Sequence, residues 1–158
     1  MEIASHVTRT TWTRADPDAV YALLADVQRS VSHFPDIESI HEERGIWMWK
    51  LRKLGAGPIQ FQVAYGSRYH FDPGTRSVWW EAAPGIGNTK VDGRWRIEPE
   101  RGGTRFVLES SFALEAPFPR VLRGTVEGIV RKENERILGS YLENLVISLE
   151  GGDGRVLK

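Results

Sequence analysis

PRVLRGTVEGIVRKENERILGSYLENLVISLE, residues Pro119 to Glu150, is the stretch on which the fold turns. It carries no proline after Pro119 and runs into Gly151-Gly152, the asymmetry expected of a helix. Roughly thirty residues at 1.5 Å rise give about 45 Å of helix, enough to cross a small domain. At 100° per residue, Leu122, Val126, Val130, Ile137, Leu138, Tyr141, Leu145 and Leu149 fall within about half the circumference. Lys132, Glu135, Arg136 and Glu143 fall on the other side. Such a helix at the end of a chain needs a surface to cover, and the residues before it are expected to supply a sheet. Asn134 projects within the apolar arc. Gly124, Gly128 and Gly139 sit in the helix at a cost of about 1 kcal/mol each relative to alanine. These features predict a helix that borders a space instead of a filled core.

The preceding residues read as strand after strand. Ile37–Glu43 and Ile46–Leu51 flank a turn at Arg44-Gly45. Gly55 to Pro58 is a breaker cluster. Ile59, Phe61, Val63, Tyr65, Tyr69 and Phe71 alternate with polar residues and predict one long strand with one apolar face. Asp72-Pro73-Gly74 turns the chain into Arg76–Ala82, which carries Trp79 and Trp80. Residues 83 to 88 are expected to form a Pro/Gly-rich loop. Val91, Trp95 and Ile97 alternate with Lys90, Asp92, Arg94 and Arg96. A turn at Arg101-Gly102-Gly103 leads into Phe106, Leu108, Ser110, Phe112 and Leu114. Upstream of all these, residues 2 to 13 read as a strand. Asp16-Pro17-Asp18 then caps and starts a helix with Val20, Leu23, Leu24 and Val27 inward. A second helical turn is expected over Gln28 to His33, broken by Phe34-Pro35. Consecutive strands with short turns imply antiparallel pairing. The expected class is α+β: a curved antiparallel sheet of about seven strands, two short helices after the first strand, and the long helix packed across the sheet.

A length of 158 residues predicts a single domain, taken as residues 1–150 with a short flexible tail over 151–158. Lys plus Arg and Asp plus Glu both count 21, so no broad field draws nucleic acid. The absence of cysteine excludes disulfides and thiol chemistry. No apolar run follows basic residues at the start and no stretch approaches a membrane span, so a cytoplasmic protein is expected.

Four stretches resemble one family. Ala15-Asp16-Pro17-Asp18-Ala19-Val20-Tyr21-Ala22-Leu23-Leu24-Ala25-Asp26-Val27 is similar to the first helix of the START-like (SRPBCC, helix-grip) superfamily. His33-Phe34-Pro35-Asp36-Ile37-Glu38-Ser39-Ile40 resembles the segment leading into its second strand. Gly93-Arg94-Trp95-Arg96-Ile97-Glu98-Pro99, followed by Gly103-Thr104-Arg105-Phe106, resembles its late hairpin, and the long closing helix completes the likeness. The polyketide cyclase/dehydrase-like branch is the nearest in character. The resemblance implies an apolar cavity between sheet and long helix that binds a lipid, quinone, polyketide or other hydrophobic molecule. It brings no catalytic signature to transfer.

The alternation turns Phe61, Tyr65, Trp80, Trp95, Phe106 and Tyr141 inward, either to line such a cavity or to fill the core solid. Trp49 competes with Ile46 and Met48 for the inner face of its strand. Val130 and Asn134 border the same space from the helix. Asn134 either serves a ligand or bonds Ser110, Tyr65 or a buried water, since an unpaired buried amide costs on the order of 1–3 kcal/mol. Arg123 projects near the apolar arc at the helix start, where a cavity mouth is expected, though arginines there commonly snorkel. His33 reads as a solvated histidine. His6, His33, His41 and His70 show no metal-ligand spacing, and Gly85-Ile86-Gly87 lacks the helix and lysine of a phosphate loop, so no metal or cofactor is expected. Binding or transport of a hydrophobic small molecule is the leading expectation. An aromatase/cyclase-type enzyme using the same cavity stands second. A protein-interaction module using the basic strand of Lys90, Arg94, Arg96 and Arg105 stands third.

Overall fold

The computed structural model describes residues 1–151. β1 (Glu2–Thr13) covers the expected first strand. Asp16 then caps α1 (Pro17–Ala25), its carboxylate accepting from the Ala19 amide at 2.8 Å. Asp26 does the same for α2 (Val27–Val31) through the Arg29 amide at 3.1 Å. α2 starts one residue earlier than the sequence reading and ends before His33, because the Asp26 cap fixes its start and Ser32 closes it.

β2 (Ile37–Glu43) and β3 (Ile46–Leu51) are joined by Arg44 and Gly45, both at positive φ, the turn that matches strand twist. The single strand expected from Ile59 to Phe71 is a correction. Leu54–Ala56 (β4) and Ile59–Phe61 (β5) pair with each other as a separate hairpin, and Ala64–Asp72 (β6) rejoins the sheet. Gly55 makes that hairpin possible: at φ +124° a side chain there would collide with the Ile59 carbonyl. The loop expected over 83 to 88 is also corrected, since β7 runs Ser77–Gly87. Tyr65 faces Gly87 while Ser67 faces Ala82, so β7 carries its excess residues as a bulge. Asn88 holds that bulge, accepting from the Ala64 amide at 3.1 Å and donating to the Gln62 carbonyl at 2.7 Å.

β8 (Thr89–Glu100) and β9 (Gly103–Glu115) complete a seven-stranded antiparallel sheet in the order β1-β9-β8-β7-β6-β3-β2. On its outer face the arginines are matched by carboxylates. Arg94 and Arg96 both pair with Glu109, and Arg105 pairs with Glu98. A turn of 3-10 helix (Arg120–Leu122) precedes α3 (Arg123–Leu149), so the α-helix starts four residues after Pro119.

α3 buries Val126, Val130, Ile137, Leu138, Tyr141 and Leu145 as the periodicity predicts, and Leu142 and Asn144 besides. Two apolar clusters hold it. Val126, Val130 and Ile137 pack with Trp49, Leu51, Leu54, Phe61 and Tyr65. Leu138, Tyr141, Leu142 and Leu145 pack with α1 and with Trp80, Trp95 and Phe106. At the far end Glu150 accepts from the Thr13 hydroxyl at 3.0 Å and from Arg14, tying α3 to the end of β1. Asn144 is fully buried and donates to the His33 carbonyl at 3.0 Å.

Gly124, Gly128 and Gly139 do not line the inner space, and a Cβ added at any of them meets nothing within 4 Å. Gly139→Ala is therefore expected to raise unfolding stability by roughly 0.5–1 kcal/mol in denaturant titration. Asn144→Ala, which orphans the His33 carbonyl in a packed site, is expected to cost about 2–3 kcal/mol in the same assay.

Candidate functional site: a cavity between sheet and long helix

The inner strand faces and the middle of α3 border a cavity of about 130 Å³. Strand alternation delivers its aromatic wall: Trp49 from β3, Phe61 from β5, Tyr65 from β6, Trp80 from β7 and Trp95 from β8. Trp49 and Tyr65 are cross-strand partners and stack with centroids 5.3 Å apart. Ser110 lines the cavity from β9, and Val130, Asn134 and Tyr141 line it from α3. Two expected residues lie elsewhere. Phe106 is wholly buried behind Trp95, where it fills core. Arg123 is exposed, donating to the Glu2 carbonyl at 3.2 Å and to Glu127 at 3.1 Å, because the first turn of α3 aims it at β1.

Other lining residues escaped the sequence reading. Tyr69 belongs to the same alternation as Phe61 and Tyr65, so its signal was present. Phe34 sits between Trp49 and Tyr141 at 5.5 and 4.9 Å. Ser30 had no signal, being one serine on a short helix; its hydroxyl meets the Tyr141 hydroxyl at 2.5 Å. Glu133 is the one charged side chain in the lining. It accepts from the Gly55 amide at 3.3 Å and from Arg136 at 3.2 Å, and Arg136 reaches Asp36 at 2.6 Å. His33 is buried, contrary to the surface reading, and its Nδ1 donates to the Arg29 carbonyl at 2.9 Å.

The polar groups facing this space are few and mostly unengaged. The Tyr65, Tyr69, Ser110 and Asn134 side chains have no hydrogen-bond partner among the described residues, and neither Ser110 nor Tyr65 bonds Asn134. Trp49 Nε1 is buried and likewise unpaired. Burial pushes the Tyr141 phenol up to about 12, the Ser30 hydrogen bond pulling the other way. Burial, and then the neighbouring phenols, push Tyr65 and Tyr69 well above the ordinary tyrosine range. All three therefore stand as neutral hydroxyls. Among the described residues no three His, Asp or Glu side chains gather as metal ligands, and no helix is long and apolar enough to cross a membrane.

Sheet, long helix and the cavity between them give the START-like helix-grip fold. The chain belongs to the family described as polyketide cyclase / dehydrase and lipid transport, whose profile matches residues 4–146. Among solved structures it is similar to the protein TTHA0849 from Thermus thermophilus (22% identity, 91% of this chain and 98% of that one, TM-score 0.65). It is similar also to the Zhui aromatase/cyclase from Streptomyces sp. R1128 (22% identity, 95% and 99% covered, TM-score 0.63). A START superfamily protein from Mycobacterium smegmatis shares the fold at 16% identity, with 91% and 98% covered and a TM-score of 0.59. No curated protein matches the chain.

Two measurements check the site. The chain has four tyrosines, and three of them line the cavity. Folded pKa values above the unfolded value of about 10 mean that stability present at neutral pH is lost as pH rises past that value. A 295 nm absorbance titration is expected to show these three phenols ionising only as the protein unfolds in alkali. Asn134→Leu is expected to leave stability within about 1 kcal/mol of the parent or to raise it, since no protein partner is orphaned. A loss of several kcal/mol would place Asn134 in a structural network.

Proposed function

We propose that this protein binds or carries a hydrophobic small molecule, lipid-, quinone- or polyketide-like, in the cavity between the sheet and α3. The observation that carries the reading is the cavity lining: aromatic and aliphatic walls with a few unpaired polar groups, the composition of a small-molecule site. Affinity would come from apolar burial at roughly 25 cal/mol per Å², with Tyr65 and Asn134 orienting the ligand. Residues 1–150 act as one binding unit, with α3 and the β4–β5 hairpin both bordering the site.

A catalyst of the cyclase/dehydrase kind is the second reading. The family's description and the aromatase/cyclase named among the structural neighbours favour it, as does the Ser30–Tyr141 contact, which polarises one phenol in the cavity lining. It ranks lower because the one carboxylate in the lining, Glu133, is held by Arg136 and the Gly55 amide, leaving no free general base.

Native mass spectrometry of freshly purified protein, followed by organic extraction, tests the first reading. The expected result is an apolar compound bound at near one-to-one ratio. A clean apo mass, together with no thermal stabilisation by fatty acids, quinones and aromatic polyketides, would overturn it.

A further inference from the structure

The cavity's polar groups say more than that its ligand is hydrophobic. Tyr65 and Tyr69 lie on the inner face of β6 with Ser67 between them, and neither phenol has a hydrogen-bond partner among the described residues. The third phenol, Tyr141, is engaged with Ser30. The Asn134 amide approaches the same space from α3, also unpartnered. Two unsatisfied O–H donors beside an amide form a receptor for an oxygen acceptor.

The lining contains no lysine, arginine or histidine. A carboxylate entering it would lose its hydration and meet no cation in return. At the end where α3 meets the β4–β5 hairpin it would face Glu133, whose partner Arg136 is already shared with Asp36. Glu133 and Asp36 already share that guanidinium, so Arg136 is not free to receive a third carboxylate. The shape of the wall adds a second restriction. Trp49, Tyr65, Trp80 and Trp95 present flat ring surfaces, which favour a flat ligand. The volume of about 130 Å³ is close to the roughly 150 Å³ cavity that takes up benzene, so it holds a small ring system more readily than a whole long acyl chain.

We propose that Tyr65 and Tyr69, with Asn134, select an uncharged ligand of one or two rings bearing a carbonyl or ether oxygen, and that the cavity rejects carboxylates such as fatty acids. This rests on the reading of the cavity as a ligand site and narrows the ligand's class. The phenols are protonated donors at physiological pH even at the ordinary tyrosine pKa of about 10, and burial moves them further from ionisation.

Three probes built on one naphthalene ring separate the terms: 2-acetonaphthone, 2-naphthoate and naphthalene, titrated calorimetrically at neutral pH. The parent protein is expected to bind the ketone at least about tenfold tighter than the carboxylate, the worth of a hydrogen bond and an avoided desolvation. In Tyr65→Phe/Tyr69→Phe the ketone is expected to weaken about tenfold while naphthalene changes less than about twofold, since the rings remain. The single variants serve if the double one does not fold. Naphthoate binding as tightly as the ketone, or equal weakening of ketone and naphthalene, would overturn the selection. If oleate binds and the ketone does not, the selection fails while ligand binding stands. If no probe, lipid or co-purified compound binds at all, the reading of the cavity fails and the selection with it.

Discussion

The structure depends on one constraint: a helix of 27 residues, about 40 Å long, has to lay a single apolar stripe across a seven-stranded antiparallel sheet. Side chains bridge the two surfaces well near the ends of the contact. Towards its N-terminal half, Val126, Val130 and Ile137 meet the β3–β6 aromatics, and towards its C-terminal half Leu138 to Leu145 meet α1 and the Trp80–Trp95–Phe106 group. The cavity lies against the middle of the helix, from Val130 to Tyr141. The cavity is lined by members of both clusters, Val130 and Ile137 from one, Leu138 and Tyr141 from the other. It is a consequence of how the helix is anchored, not a local defect.

Polar fixings around the cavity hold the helix in place over it. Asn144 is bonded to the backbone after α2, Glu150 to the end of β1, and Arg136 with Glu133 to Asp36 and to the β4–β5 hairpin. These bonds fix the height of α3 at points along its length. The interior can then remain apolar, with Tyr65, Tyr69, Ser110 and Asn134 left over as groups that the fold does not use. Unused polar groups on an apolar cavity wall are where a ligand finds its orientation.

Much of this was legible in the chain. The class, the first strand to its residue boundaries, the Asp16 cap and the inward aromatics of β3 to β8 follow from period-2 alternation and from residues with strong local preferences. The failures have physical causes. β4 and β5 are three residues each, too short to show a period, and their apolar residues fused with β6 into one apparent strand. The β7 bulge hid behind Pro84, Gly85 and Gly87, which read as loop because bulges use the same residues as turns. Arg123 was misplaced because projection on a wheel ignores that a first-turn side chain is free to reach a neighbouring strand. The two asparagines show the limit most clearly. The wheel flagged Asn134 as buried and passed over Asn144, yet Asn144 is the structural one, and only the position of His33 in three dimensions distinguishes them.

The central claim is that the space between α3 and the sheet is a persistent apolar cavity. A crystal structure of the protein under xenon pressure tests it most directly, since dry apolar cavities take up xenon without needing the natural ligand. The account predicts xenon density among Tyr65, Val130, Ile137 and Tyr141, with α3 unmoved. Absence of xenon there, with α3 collapsed onto Trp49 and Tyr65 in a filled core, would contradict it.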